Sequence, residues 1–404
     1  MHFANDVEEA YGAEVTLRPD GAYRVPSTTT AIIIHNCARV YFLSNTVENL
    51  TSLRNIDLRN NSHVYFNERS ISWSPYQREH ELSNPGLSIT IENCTMNDVA
   101  SYAFKGRIDD ITITKSRINV IRPFAFSSLT GVKLIELTNN LWDNIEIQTF
   151  KKFSTVNFIL RGGEIKNIPS RFLSDVEITN LLWMDGVNVL SISSIAFLAN
   201  SPKRVLIENN IVGNFEGDAF HIATRGPVTF RNNTVFTLGK GSLLGFSVER
   251  DIISNYGLQE LSMDNNTITD LGPLSLLHNR TTFMLRVDSL NLNASCSCEL
   301  FEEWEELITQ QGAINCWYTL EVRFVSIRSY VENKCGPIQQ NLWIIISVVG
   351  ILLLIILIAI FIVIVQKRRK EKRKLPIVMP DGKTYKETVI ETIVERAELL
   401  TTDL

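Results

Sequence analysis

The chain has 404 residues, of which 45% are hydrophobic and 21% are charged, and these values are ordinary for a folded protein with a large core. The segment 366–404 contains 10 basic and 7 acidic residues, so it carries a net charge of +3 and leaves −8 on the rest of the chain. A net acidic main part without a basic cluster argues against nucleic acid as a partner.

Residues 1–30 precede the first repeat and are interpreted as an N-terminal lead-in or partial cap. The first 15 residues contain no basic region followed by an apolar run, so no secretory signal is visible in them. We interpret this start as that of a truncated or mature chain, or of an incorrect gene model.

Residues 31–292 repeat a short strand pattern eleven times, mostly at intervals of 22 to 24 residues. Each copy leads to one residue, here called the ladder residue. The residues five and three positions before it are apolar in all 22 cases, against about 10 expected from the composition. The period predicts a solenoid of about 11 coils. The ladder residues are Cys37, Asn61, Cys94, Ser116, Asn140, Gly163, Val187, Asn210, Asn233, Asn266 and Leu290.

Two intervals are 33 residues long, after Asn61 and after Asn233, and they predict loops on one face of the solenoid. The first contains the aromatic segment 72–76, Ser-Trp-Ser-Pro-Tyr, which either contacts a partner or packs back on the coil. The second contains the glycine-rich segment 239–245, which lacks phosphate-loop spacing and is interpreted as a turn.

Phenylalanines recur at similar places after the strands and predict a column of stacked rings inside the coil. The alternative, an aromatic ligand site, is disfavoured because these side chains are needed to fill the core. The residues are Phe104, Phe126, Phe150, Phe172, Phe197 and Phe220.

The stretch Val132-x-x-Ile135-x-Leu137-x-x-Asn140 resembles the leucine-rich-repeat pattern LxxLxLxxN. That family accepts Cys or Ser at the ladder position. The resemblance implies an α/β solenoid with a parallel sheet on its concave face and buried ladder amides that bond to the backbone. Gly163, Val187 and Leu290 supply no such amide, so the array is divergent.

Four cysteines follow the repeats within residues 293–340, and they resemble the cysteine-rich C-terminal cap of extracellular leucine-rich-repeat proteins. The resemblance implies pairs between Cys296 and Cys316 and between Cys298 and Cys335. A zinc site of four thiolates is the alternative. Cys37 and Cys94 lie two rungs apart, about 10 Å, so we expect buried free thiols there.

Residues 342–365 form an uncharged stretch that is long enough to cross a bilayer as a helix. Seven basic residues lie among positions 367–374, so the positive-inside tendency predicts a cytosolic segment 366–404 and an outer N-terminal part, with the plasma membrane as the expected location.

Seven Asn-x-Ser/Thr sequons lie before this stretch and none after it, which favours an extracellular, glycosylated location. Alternatively, the sequons occur by chance, because the repeat is rich in asparagine. The sequon asparagines are Asn49, Asn60, Asn93, Asn232, Asn265, Asn279 and Asn293.

The residues four and two positions before each ladder residue should face solvent. They hold no acidic cluster with a facing base, so a parallel β-helix carbohydrate-active enzyme is less favoured, and the six histidines are scattered. We therefore expect no enzymatic activity, cofactor or metal. On three successive coils, these solvent-facing positions instead predict an apolar centre with a charged rim, as in protein interfaces. Its residues are Ile159, Trp183 and Leu206, with Arg161, Asp185, Glu208 and Arg231 at the rim.

The C-terminal segment contains two short recognition patterns. Thr402-Asp403-Leu404 resembles a class I PDZ ligand. Glu395, Leu399 and Leu400 resemble an acidic dileucine signal for a clathrin adaptor, and the basic run can hold anionic lipid headgroups.

The sequence thus predicts a cell-surface adhesion or receptor protein that binds a protein ligand through its solenoid and recruits adaptors through its tail. An accessory or decoy subunit of another receptor or channel is the alternative, and a β-helix enzyme is the third interpretation.

Overall fold

A computed structural model describes residues 2–4, 12–22, 24–74, 85–271, 273–311, 314–335, 337–372, 377–378 and 384–385. The chain divides into two compact units, Met1–Glu332 and Asn333–Leu404. The first unit is a parallel β-solenoid of about 12 turns, which confirms the predicted repeat architecture.

Strands run along three sides of the coils, and four long strands continue around a corner from one side to the next. The first sheet contains the strands that lead to the ladder residues: Ala31–His35, Asn55–Arg59, Leu87–Glu92, Phe104–Thr114, Val132–Ile145, Phe150–Ile168, Leu173–Asp185, Arg204–Glu208, Val228–Arg231, Gln259–Asp264 and Phe283–Val287. His2–Ala4 pairs with the first of these strands.

The second sheet follows the ladder residues and extends one coil beyond the first sheet at its C-terminal end. Two long strands, Val132–Ile145 and Phe150–Ile168, also belong to it. Its other strands are Glu14–Leu17, Arg39–Phe42, His63–Phe66, Thr95–Val99, Arg117–Ile121, Asn188–Ile192, Ile211–Phe215, Thr234–Leu238, Asn266–Leu271, Leu290–Ser295 and Ile314–Tyr318. Arg323–Ser326 pairs antiparallel with the last strand.

The third sheet contains Ile71–Trp73, Phe126–Thr130, Phe197–Asn200, Phe220–Thr224 and Phe246–Val248, together with parts of three long strands. The leucine-rich-repeat resemblance implied a sheet on one face only, whereas the closed coils here carry strands on two further sides. The second unit also contains the short strands Ile377–Val378 and Thr384–Tyr385.

Helices are few among the described residues. Arg250–Tyr256 and the 3-10 turn Pro273–Leu276 lie within the two intervals that follow Asn233. The segment 240–245 forms a turn, as predicted. Cys298–Gln311 and Ile327–Lys334 follow the strand Leu290–Ser295 in the chain, and Pro337–Lys372 is a long apolar helix.

The corner between the first and second sheets needs a positive φ in each coil, and asparagine is the side chain that most often adopts it after glycine. The residue just before the ladder residue has φ between 48° and 65° in ten coils. Seven of these ten residues are asparagines: Asn36, Asn60, Asn93, Asn139, Asn209, Asn232 and Asn265. The frequent asparagines of the repeat are therefore explained by backbone conformation as well as by the ladder.

Ladder asparagines connect adjacent coils through their buried amides. Asn210 Oδ1 accepts the backbone N–H of Val187 at 2.9 Å, and its Nδ2 donates to the carbonyl oxygen of Met184 at 3.0 Å. Asn61, Asn140, Asn233 and Asn266 repeat this bonding, each to the ladder residue of the preceding coil and to the carbonyl three residues before it.

The interior contains a column of stacked rings, as the phenylalanine spacing predicted. Phe126 lies between Phe104 and Phe150, with ring centroids 4.5 and 4.6 Å apart, and all three are fully buried. Phe172 comes one residue early in its repeat and meets its neighbours edge to face instead. The ring geometry of the column therefore changes where the spacing of the repeat changes.

The cysteines fall into two groups. Cys296 and Cys316 are joined by a disulfide, and Cys298 and Cys335 are also disulfide-bonded, so these four do not form a zinc site. Cys37 and Cys94 are buried free thiols. Burial raises the pKa of the Cys94 thiol to about 11, so this thiol stays protonated at neutral pH.

The helix Pro337–Lys372 contains a segment, Ile344–Lys370, that is long and apolar enough to cross a membrane. Its apolar side chains are exposed in the isolated chain, as expected of a surface that lipid would cover.

Replacing Asn210 by alanine should destabilise the coils on both sides of it, because the Val187 N–H and the Met184 carbonyl would lose their buried partner. Each unsatisfied buried group costs about 1–3 kcal/mol. We expect hydrogen exchange of the Val187 amide in the full chain to accelerate by at least about tenfold.

The matched control is Asn144→Ala, because Asn144 is an exposed second-sheet residue. Its exchange pattern should equal that of the wild type. Equal protection of Val187 in both variants would show that the ladder amide does not stabilise the stack.

Candidate functional site

The apolar centre predicted on the first sheet is assembled by strand register. Ile159 pairs with Trp183, and Trp183 pairs with Leu206, so the three side chains lie side by side on consecutive coils. Each is partly exposed on the outer side of its strand, while the residues before and after it are more buried or core-facing. We call these three residues and their charged rim the first-sheet patch.

Arg161 connects the centre of the patch to its rim. Its guanidinium carbon lies 4.2 Å from the centroid of the Trp183 ring, which is a close cation–π contact. Its Nε also lies 3.4 Å from a carboxylate oxygen of Asp185. The arginine is therefore held over the indole, and one face of the ring is already covered.

The remaining rim residues are two carboxylates on consecutive coils, followed by an arginine on the next coil. Asp185 and Glu208 are register neighbours, and Arg231 lies 3.5 Å from Glu208 and 3.5 Å from Asp264. Asn209 Nδ2 donates to Asp185 Oδ1 at 2.8 Å. Both patch carboxylates thus have cationic partners within the chain.

Two buried polar atoms of the patch make no hydrogen bond to a described residue: Trp183 Nε1, and Arg161 Nε, which lies 3.4 Å from Asp185 Oδ2. A buried N–H in this state costs about 1–3 kcal/mol.

The predicted glycosylation asparagines are mostly accessible. Six of them are exposed and Asn279 is half-buried. Four occupy the positive-φ corner, where their amides also bond to one another: Asn93 Nδ2 donates to Asn60 Oδ1 at 2.8 Å, and Asn265 Nδ2 donates to Asn232 Oδ1 at 2.9 Å. The fold accounts for asparagine at these four positions, and the exposure leaves them available for modification.

The aromatic segment 72–76 and the tail motifs were the other predicted contact regions. Trp73 is buried and its Nε1 donates to the carbonyl oxygen of Leu50 at 2.8 Å, so this part of the aromatic segment packs back on the coil. Pro75 and Tyr76 lie outside the described residues, as do the tail residues Glu395, Leu399, Leu400, Thr402, Asp403 and Leu404.

A second apolar surface was missed by the sequence interpretation. Leu190, Ile211 and Phe236 are exposed on neighbouring strands of the second sheet, beside a groove of about 490 Å³. The signal for this surface lies in the sequence one and three residues after the ladder residue, beyond the strand that leads to it. No group of three His, Cys, Asp or Glu residues in the described part of the chain is arranged to hold a metal ion.

Comparison with protein-family models, with curated proteins and with solved structures finds no match for this chain, so the candidate site stands on its own geometry.

Proposed function

We propose that the chain is a non-enzymatic, single-pass cell-surface protein of the adhesion or receptor class, and that the first-sheet patch binds a protein partner. The observation that carries this proposal is the register-aligned centre of Ile159, Trp183 and Leu206 inside a charged rim. Tryptophan and arginine are the residues most often found as anchors of protein interfaces. A flat sheet with paired rim charges can present them with little loss of side-chain entropy on binding.

The leucine-rich-repeat resemblance supports an extracellular role through the ladder asparagines and the disulfide-bonded cap. Strands on three sides of the coil depart from the family pattern. In the proposal, the chain is a divergent, glycosylated relative of that family at the plasma membrane, with its N-terminal part outside.

The proposed orientation predicts that an antibody against the solenoid stains intact cells that produce the protein naturally. An antibody against residues 375–404 should stain only permeabilised cells, because the basic run keeps that segment inside. Enzymatic removal of N-glycans should lower the apparent mass of the natural chain. Staining of intact cells by the tail antibody would contradict the orientation.

The patch predicts that partner capture depends on Trp183. A photo-crosslinking amino acid placed at Thr229, the register neighbour of Leu206, should form adducts with a partner on intact cells. In the full chain, Trp183→Ser should reduce adduct yield by roughly tenfold or more, because a central anchor is lost.

The control for this experiment is Met284→Ser, since Met284 is an exposed apolar residue of the same sheet outside the patch. It should leave the yield unchanged. Equal yields from the Trp183 and Met284 variants would place the partner elsewhere.

The tail proposal assigns a PDZ-domain protein to Leu404, a clathrin adaptor to Leu399 and Leu400, and anionic lipid to the basic run. A peptide of the last ten residues should bind members of a PDZ panel, and Leu404→Ala should abolish binding because the terminal apolar side chain fills the pocket. Thr401→Ala should bind normally. Absence of binding by the wild-type peptide would favour the accessory or decoy subunit over a receptor coupled to adaptors.

A further inference from the structure

The exposed groove of the second sheet has a regular construction. In each coil two outward residues flank one buried residue, and register pairing aligns the coils. The two outward positions of four successive coils hold Glu164 and Lys166, Asn188 and Leu190, Ile211 and Gly213, and Thr234 and Phe236. We call these eight residues the second-sheet groove.

Apolar side chains of the groove are more exposed than those of the first-sheet patch. The exposed fractions of Leu190, Ile211 and Phe236 are 70%, 51% and 58%. Side chains of this size in contiguous positions are unusual on the surface of a protein that acts alone. The groove is therefore a candidate site for an apolar occupant.

Gly213 creates the depth of the groove. A Cβ at this position would lie 2.3 Å from the carbonyl oxygen of Leu190, so no side chain fits there without moving the backbone. The result is a notch between Leu190 on one side and Phe236 on the other. A single branched aliphatic side chain matches this notch in size and polarity.

The N-terminal end of the groove carries one charge of each sign. Glu164 is exposed and pairs with no cation in the described part of the chain. Lys166 lies 2.9 Å from Asp143, and a flexible ammonium group can hold a second carboxylate as well. The unpaired Glu164 carboxylate at this end could therefore bind a cationic side chain of a partner surface.

We propose that the occupant is a second copy of this chain, packed sheet to sheet about a two-fold axis that runs parallel to the solenoid. Each coil has two outward residues, such as Glu164 and Lys166. Rotation about such an axis places the first outward residue of one copy opposite the second outward residue of the same coil in the other copy. Glu164 then meets Lys166 of the other copy, and Ile211 enters the notch at Gly213. Each contact occurs twice by symmetry.

This arrangement accounts for three features of the groove, and it sets Leu190 opposite Asn188 of the other copy. The unpaired carboxylate gains a cation, the notch gains an aliphatic side chain, and Phe236 is covered by Thr234 of the other copy.

The contact is modest in size. The four coils extend over only about 14 Å along the solenoid, and a stable interface between soluble proteins buries roughly 800 Å² on each partner. Confinement of both copies to one membrane raises their effective concentration and compensates for a small interface.

Charge exchange tests both the occupant and the register. Two differently tagged full-length chains are produced in the same membrane, and the fraction isolated together is measured. Glu164→Lys in both chains sets lysine against lysine, and Lys166→Glu in both sets glutamate against glutamate. Either change should reduce joint isolation by at least about fivefold, since like charges face each other. Combining one chain of each kind should restore it.

Matched controls separate this contact from general effects of charge. Glu177→Lys and Lys203→Glu alter exposed residues outside the groove and should leave joint isolation unchanged. Ile211→Asp should reduce it by at least about tenfold, whereas Met284→Asp should not. Surface staining of each variant confirms folding.

Joint isolation that is unaffected by Ile211→Asp, or a mixed pair that is not restored, would overturn the proposal. In particular, an antiparallel dimer would set Glu164 opposite Thr234 and would not respond to charge exchange. The inference does not rest on the first-sheet patch, and Trp183→Ser should leave joint isolation at the wild-type level.

Discussion

The coil-to-coil backbone register is the constraint on which the rest of this molecule depends. A parallel strand can bond to the next coil only if each turn returns the chain to the same position, and the corners of positive φ make this return possible. Asn60, Asn93 and their equivalents adopt that conformation at little cost, and the ladder amides of Asn210 and its equivalents satisfy the backbone groups that the corner would leave unpaired. Each coil is thereby held to its neighbour at the corner where both outer surfaces begin.

Much of this could be predicted from the sequence because period and polarity are properties of single columns. The first-sheet strands, the phenylalanine column and the placement of Ile159, Trp183 and Leu206 on adjacent rungs all follow from a fixed interval between copies. A strand of period two also tells which side chains leave the core. The positions of the first-sheet patch residues therefore follow from the sequence repeat alone.

The third sheet, the notch at Gly213 and the contact of Arg161 with Trp183 could not be predicted, because they do not depend on one residue type that recurs at a fixed position of the repeat. Most strands of the third sheet begin with phenylalanines that fill the core, so the sequence indicated packing there and not strand pairing. The notch at Gly213 is the absence of a side chain between two exposed ones, and absence is weak evidence in a chain with 20 glycines. The contact of Arg161 with the Trp183 ring requires rotamers, which no periodicity specifies.

The asparagine corner separates the two outer surfaces, and its sequons are unevenly distributed along it. Asn60 and Asn93 lie near the N-terminal end of the corner, and Asn232 and Asn265 lie near the other end. Between them the corner holds only Lys115, Asn139, Gly162, Gly186 and Asn209, none of which begins a sequon. Sugar chains at the four sequons would cover the corner near both ends of the solenoid. The corner of the middle coils would remain free of glycans, and we call this stretch the unglycosylated window. The first-sheet patch and most of the second-sheet groove open onto that window from opposite sides of the same edge.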